Sequence, residues 1–158
     1  MEFHIFEDDM TLASIPSVTP RVSVRAIIIE DDTIVLIHNQ AIDTYVLPGG
    51  GVLQSETLED AIVREVLEET GLRVKQADKT LCVKEHFHDS IWHHHFYSVT
   101  VGKETEPLTL TEEEISLGHH VVYLPLSTAL DLLSNHKGKH PYSKNIHQRE
   151  LIGLLHSL

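Results

Sequence analysis

The sequence predicts one α+β domain spanning residues 1–158, with a central mixed β-sheet between helical layers. Three observations predict it. Val- and Ile-rich runs of strand length fill the early part of the chain. A well-delimited amphipathic helix follows, from Thr57 to Gly71. Further strand-like runs then give way to helices at the C-terminal end.

In chain order, Phe3, Ile5 and Phe6 outline a short strand in an acidic start, and Pro16 to Pro20 bound the segment after it. Arg21 to Ile29 is a strong strand because β-branched residues crowd it. Asp31-Asp32 supplies a turn and Ile34 to Ile37 the returning strand, which makes a hairpin. Tyr45-Val46-Leu47 leads into Pro48-Gly49-Gly50-Gly51, a flexible loop able to bring backbone close to a ligand. Beyond the helix, Lys79 to His86, Ile91 to Val101 and Val121 to Leu124 read as strands. Thr109 to Ile115 lacks apolar periodicity and reads as a loop. Pro125-Leu126-Ser127 opens a helix to Leu133, and His136 to Tyr142 is a polar loop. Ser143 caps a last helix, with Ile146, Arg149, Ile152 and Leu155 roughly on one face.

Length and charge bound the function. A chain of 158 residues suits one domain with one sizeable core. The net charge of -12 argues against a nucleic-acid partner, which needs a basic footprint. A small phosphorylated substrate stays open, because metal ions can neutralise the site. The single cysteine, Cys82, rules out an internal disulfide and fits a reducing cytosol. No apolar run approaches the ~20 residues of a membrane span, and MEFHIFEDD carries no secretory pattern. A cytoplasmic monomer or homodimer with no membrane partner is expected.

The central helix carries the chemistry. Thr57 followed by Asp60 marks its start, and Gly71 stands where a left-handed stop belongs. Ala61, Ile62 and Val66 fall within about 80° of Leu58 and form the buried stripe. Glu65 and Glu69 fall within about 20° of Leu58, inside that stripe, and Glu68 lies on its edge. Three carboxylates there repel each other and oppose the helix dipole. Folding alone gives no reason for them. A bound divalent cation does, because hard cations take oxygen ligands. The plain alternative is a solvated surface with Arg64 paired to Glu68 at i,i+4. The order of strand, glycine segment and helix weighs against it, being a common way to present groups to phosphate.

The run Gly-x5-Glu-x7-Arg-Glu-Val-x-Glu-Glu-x-Gly-Leu is filled by Gly50, Glu56, Arg64, Glu65, Val66, Glu68, Glu69, Gly71 and Leu72. It resembles the Nudix box, signature of the Nudix hydrolases, and no position departs from the pattern. Its strict positions coincide by chance on the order of once in 10⁸ windows, so coincidence does not explain it. The resemblance implies a Nudix-type α/β/α sandwich and a pyrophosphohydrolase using magnesium or manganese. Its substrate would be a nucleoside diphosphate linked to another moiety. Glu65, Glu68 and Glu69 would hold the metal, with a backbone carbonyl of Gly50 or Gly49 as a further ligand and Gly49 near substrate. Arg64 would orient the glutamates by bidentate pairing, and Glu56 would organise the preceding segment or reach the metal through water. Glu65 or a late carboxylate would take the proton from the attacking water. That late carboxylate comes from Glu112-Glu113-Glu114, where spacing does not choose. Glu113 is carried as base and Glu114 as ligand. Arg25, on the strand before the box, is carried as a phosphate contact, since guanidinium matches phosphate geometry.

The alternative is a binding or sensor module on the same fold. Such modules lose box glutamates, and here all are present. Five histidines lie between Glu85 and His95, but His93, His94 and His95 alternate faces on a strand and do not converge as ligands. Trp92, Phe96 and Tyr97 are expected in the core. Phe87 replaces the family's proline marker for ADP-ribose. His88, Asp89 and Ser90 replace its tyrosine marker for dinucleoside polyphosphates. A nucleoside triphosphate or a nucleotide sugar is then the expected substrate.

Overall fold

The computed structural model describes residues 1–11, 13 and 15–158. In chain order they form β1 (Glu2–Phe6), β2 (Arg21–Ile27), β3 (Ile29–Glu30), β4 (Thr33–Asn39), β5 (Thr44–Val46) and β6 (Gly49–Gly51). Then come α1 (Leu58–Thr70), β7 (Leu72–His86), β8 (Ile91–Thr105), α2 (Glu112–Ser116), β9 (His119–Pro125), α3 (Leu126–Asn135) and α4 (Ser143–Leu155). A mixed sheet runs β1-β7-β8-β2-β6, parallel at β1/β7 and β2/β8 and antiparallel elsewhere. A second, antiparallel sheet is built on β4, which pairs with β3, β5 and β9.

The expected hairpin forms, but it is divided between the two sheets. β2 belongs to the mixed sheet, and β3 pairs with β4 across a turn at Asp31 and Asp32. Both aspartates sit at positive φ, as a tight hairpin turn demands.

Alternation along β2 builds the sandwich. Val24 and Ala26 pack with Ala61, Ile62 and Val66 of α1. Ile27 points the other way, into a cluster with Leu81, Phe96, Ala129 of α3 and Leu154 of α4. Helices therefore cover both faces, the α/β/α arrangement expected. Phe96 and Tyr97 are buried, while Trp92 is only half-buried. Among the described residues, no helix is long and apolar enough to cross a membrane.

Three local expectations are corrected. Thr109 to Ile115 is not all loop: Glu112–Ser116 is helical, because Thr111 and Glu114 form a reciprocal capping box. Ser143 does not cap α4. It is the first helical residue, and its hydroxyl bonds Thr44 Oγ1 at 2.6 Å and accepts from His140 N–H at 3.1 Å. The inward face of α4 is mixed: His147, Arg149 and Glu150 are buried along with Leu154, Ile152 packs against the core, and Leu155 is exposed. Ion pairing at Arg149 and Glu150 and apolar packing at Leu154 together set its orientation.

Candidate active site

Both ends of α1 are fixed. Thr57 Oγ1 accepts from Asp60 N–H at 3.0 Å, and Gly71 closes the helix at φ 73°. With its rotation set by Ala61, Ile62 and Val66 in the core, Glu65 and Glu69 are carried inside, only 9% and 6% exposed. Glu68 remains at the rim.

The glycine segment against them is β6, an edge strand rather than the flexible loop expected. Val24 stands opposite Gly50, and Ala26 N–H donates to Pro48 O while Val52 N–H donates to Val22 O. Alternation in an antiparallel pair then leaves Gly49 and Gly51 turned away from β2. α1 takes up their free groups. Gly49 N–H donates to Glu69 Oε2 at 2.8 Å, and Gly51 O accepts from Arg64 Nη2 at 3.1 Å. Side chains are excluded here. A Cβ on Gly49, at φ 152°, would stand 2.0 Å from Val24 O, and one on Gly50 2.7 Å from the Glu65 carboxylate.

Arg64 organises the rim. It grips Glu56 bidentately, Nε to Oε2 at 2.7 Å and Nη2 to Oε1 at 2.9 Å. Its Nη1 donates to Glu65 Oε1 at 2.7 Å and Glu68 Oε2 at 3.2 Å. Glu56 also accepts from Leu53 N–H, and the Arg64 contact holds its carboxyl at about 2. Arg64 thus ties Glu56, Glu65 and Glu68 together.

The late acids separate. Glu112 and Glu113 lie exposed on α2. Glu114 turns inward, and one ligand atom from each of Glu69, Glu114 and His119 lies within 4.8 Å of the others. His119 was not singled out from the sequence. Its signal is weak, one of thirteen histidines at the start of a strand.

This group holds more negative charge than the protein compensates. Burial pushes Glu69 up to about 8, and the charges of Glu65 and Glu114 add to it against the Gly49 N–H and Arg25. Burial also raises Glu65, against the pull of Arg64. A divalent cation fits this donor set, because it supplies the missing charge and takes carboxylate oxygens.

Arg25 stands opposite Gly49 on β2. It lines a cavity of about 550 Å³ together with Phe87, Trp92, Tyr142, Glu85, His94 and Arg149. Among the described residues its Nε has no hydrogen-bond partner, and it lies 3.7 Å from Glu150 Oε1. His94 points to this side, while His93 and His95 line a separate groove with Lys84, as strand alternation requires.

The NUDIX domain family matches residues 19–145. The chain belongs to the NUDIX family. This NUDIX chain is 31% identical over 111 residues to diphosphoinositol polyphosphate phosphohydrolase 3-alpha of Mus musculus. That alignment covers 70% of this chain but 65% of the mouse protein, less than two thirds of its length. A shorter stretch of 56 residues is 48% identical to an ADP-ribose pyrophosphatase of Methanocaldococcus jannaschii, covering 34% of this chain and 33% of that one. In fold it is similar to a NUDIX hydrolase from Nitrosomonas europaea (TM-score 0.64, 20% identity, 82% and 87% of the two chains covered). The E. coli ORF135 protein gives a TM-score of 0.60 at 20% identity, covering 92% and 94%.

Proposed function

We propose that this NUDIX chain is a metal-dependent hydrolase. It cleaves a phosphoanhydride bond in a nucleoside diphosphate linked to another moiety, a nucleoside triphosphate or related nucleotide. One observation carries the reading: Glu69 is buried near both Glu65 and Glu114 with too little cationic charge to match them. Glu65, Glu68, Glu69 and Glu114 would hold a magnesium or manganese ion, which would supply the charge that offsets the diphosphate and lowers the pKa of the attacking water.

The remaining work falls to the chain itself. Arg64 occupies Glu65 Oε1, which leaves Glu65 Oε2 to take the proton from water. The raised affinity of Glu65 for protons suits a base. Gly49 N–H fixes Glu69, and Glu114 is the late carboxylate that this geometry favours over Glu113. Arg25, between cavity and carboxylates, contacts phosphate.

The nucleoside lodges in the cavity, whose volume falls in the ~300–1,000 Å³ range of small-molecule sites. Aromatic walls from Phe87, Trp92 and Tyr142 suit a flat ring. Of the two cavity arginines, Arg149 is already paired with Glu85 and Glu150, and Arg25 is the one with a donor to spare. That leaves little positive charge for an inositol polyphosphate, the compound in the mouse relative's name.

The test is a screen with magnesium of nucleoside triphosphates, nucleotide sugars and a diphosphoinositol polyphosphate, with both products identified by mass. Nucleotide turnover that stops in chelator is expected. Preference for the inositol compound overturns the substrate, and turnover in excess chelator overturns the metal. Binding of nucleotide and magnesium without product would make the chain a silent binding module. Among the late acids, Glu114→Gln is expected to lower turnover about tenfold, with Glu112→Gln and Glu113→Gln within about twofold of the parent.

A further inference from the structure

We infer that His119 is a positioning residue, its tautomer fixed by Asn39 so that Nδ1–H faces the carboxylates and holds Glu114 toward the cation. The inference rests on the metal-dependent reading above.

Asn39 ends β4 and His119 opens β9, and the two are paired in register. The orientation of the Asn39 amide follows from its neighbours. Ile42 N–H donates to Asn39 Oδ1 at 3.4 Å, which leaves the NH2 end facing His119 Nε2 at 3.1 Å. An NH2 group only donates, so Nε2 is the acceptor nitrogen, and a neutral ring then carries its proton on Nδ1. Nδ1 is buried, has no hydrogen-bond partner among the described residues, and lies 3.7 Å from Glu114 Oε2.

A ring nitrogen that holds a proton cannot ligate a metal, but it can donate. Glu114 leaves one oxygen for it. Oε1 accepts from Thr111 N–H at 2.9 Å, tying that oxygen to the start of α2. The one contact described for Oε2 is with His119 Nδ1. The 3.7 Å gap is too long for a hydrogen bond, and contacts of this kind tighten when a site fills. Held this way, the cation meets carboxylate oxygens and no imidazole. That set suits magnesium, whereas an imidazole ligand shifts preference toward nitrogen-binding transition metals.

The test uses the full chain, ¹⁵N-labelled at histidine, with Mn²⁺ as the bound-metal probe. Nitrogen shifts of the wild type in chelator and in Mg²⁺ are expected to report an Nδ1–H, unprotonated Nε2 ring. Mn²⁺ electron spin-echo spectra are expected to show no directly bound nitrogen. His119→Ala should weaken Mn²⁺ binding about tenfold, the lower end of what second-layer partners contribute. His119→Asn, whose amide nitrogen sits near the Nδ1 position, should restore it to within about threefold. An Nε2–H tautomer, a bound nitrogen, or an Ala variant that binds as the wild type does overturns the role given to His119. A wild type that binds no Mn²⁺ overturns the metal-dependent reading instead. The two wild-type spectra stand even where a variant does not fold.

Discussion

Two groups of buried carboxylates lie near β2, and they differ in whether the protein supplies their counter-charge. At the α4 side, Glu85 and Glu150 are enclosed and both face Arg149. Arg149 Nη1 donates to Glu85 Oε1 at 3.0 Å and Nε to Glu150 Oε1 at 2.9 Å. Leu47 N–H donates to the other Glu150 oxygen at 3.4 Å. Burial alone would raise Glu85, but His94 and Arg149 outweigh it and the carboxyl is held low. On α1 the same burial is left unanswered, and Glu69 is pushed up to about 8. The first group is complete as folded. The second is an arrangement that folding alone disfavours, the mark of a site kept for a ligand.

The comparison is broken most sharply by removing a carboxylate from the complete group. Glu150→Ala leaves Arg149 with Glu85 alone and takes from Arg25 its nearby carboxylate, inside the protein. A loss of about 3–5 kcal/mol is expected, the usual result of leaving a buried charge without its partner. Urea unfolding in chelator reads it, and a loss below about 1 kcal/mol would mean that the network behaves like surface pairs. Removing a carboxylate from the incomplete group should act on function instead. Glu69→Gln is expected to lower turnover at least about a hundredfold, or ~2.7 kcal/mol, by taking a charged oxygen from a hard cation. Undiminished turnover with saturating magnesium would remove Glu69 from the ligand set.

The two groups were also unequally legible in the sequence. Helical spacing placed Glu65 and Glu69 on the buried stripe, and the structure has them there, because α1 is regular between a capped start and Gly71. The α4 network was not legible. Glu85, Arg25 and Arg149 come from three elements far apart in sequence, and only the sheet order brings them together. Spacing put Arg149 and Ile152 on the inner face of α4, where they are, but missed Glu150 and His147 and wrongly included Leu155, since no periodicity marks a buried ion pair. The glycines of β6 failed differently. Their strand propensity is low, and they are held by β2 on one side and by α1 side chains on the other. Thr111-x-x-Glu114 did carry a helix signal, but which acid turns inward depends on β9 beside it.

The smallest expected effect isolates the missing counter-charge. In chelator, Glu69→Gln should be more stable than the parent, and the gain should grow with pH. The folded value of about 8 lies above the ordinary 4.5, so between them the folded protein binds more protons at Glu69 than the unfolded chain. The contribution of the protonated acid is therefore complete below about 4.5 and lost as pH rises through about 8. Glutamine has no such loss, and its carbonyl can still accept from Gly49 N–H. His94, pushed down to about 3 by burial, gives the opposite slope in acid, but it is common to both proteins and cancels in the difference. Glu65 and Glu114 contribute to the shift and can adjust, so a gain of about 1–2 kcal/mol by pH 8 is expected. Saturating magnesium should reverse the ranking, because binding stabilises only the protein that keeps the ligand. Urea unfolding at pH 5, 6.5 and 8, with chelator and with magnesium, measures it. A variant less stable than the parent at pH 8 in chelator would show that the Gly49 contact outweighs the repulsion. The α1 carboxylates would then belong with the complete group after all.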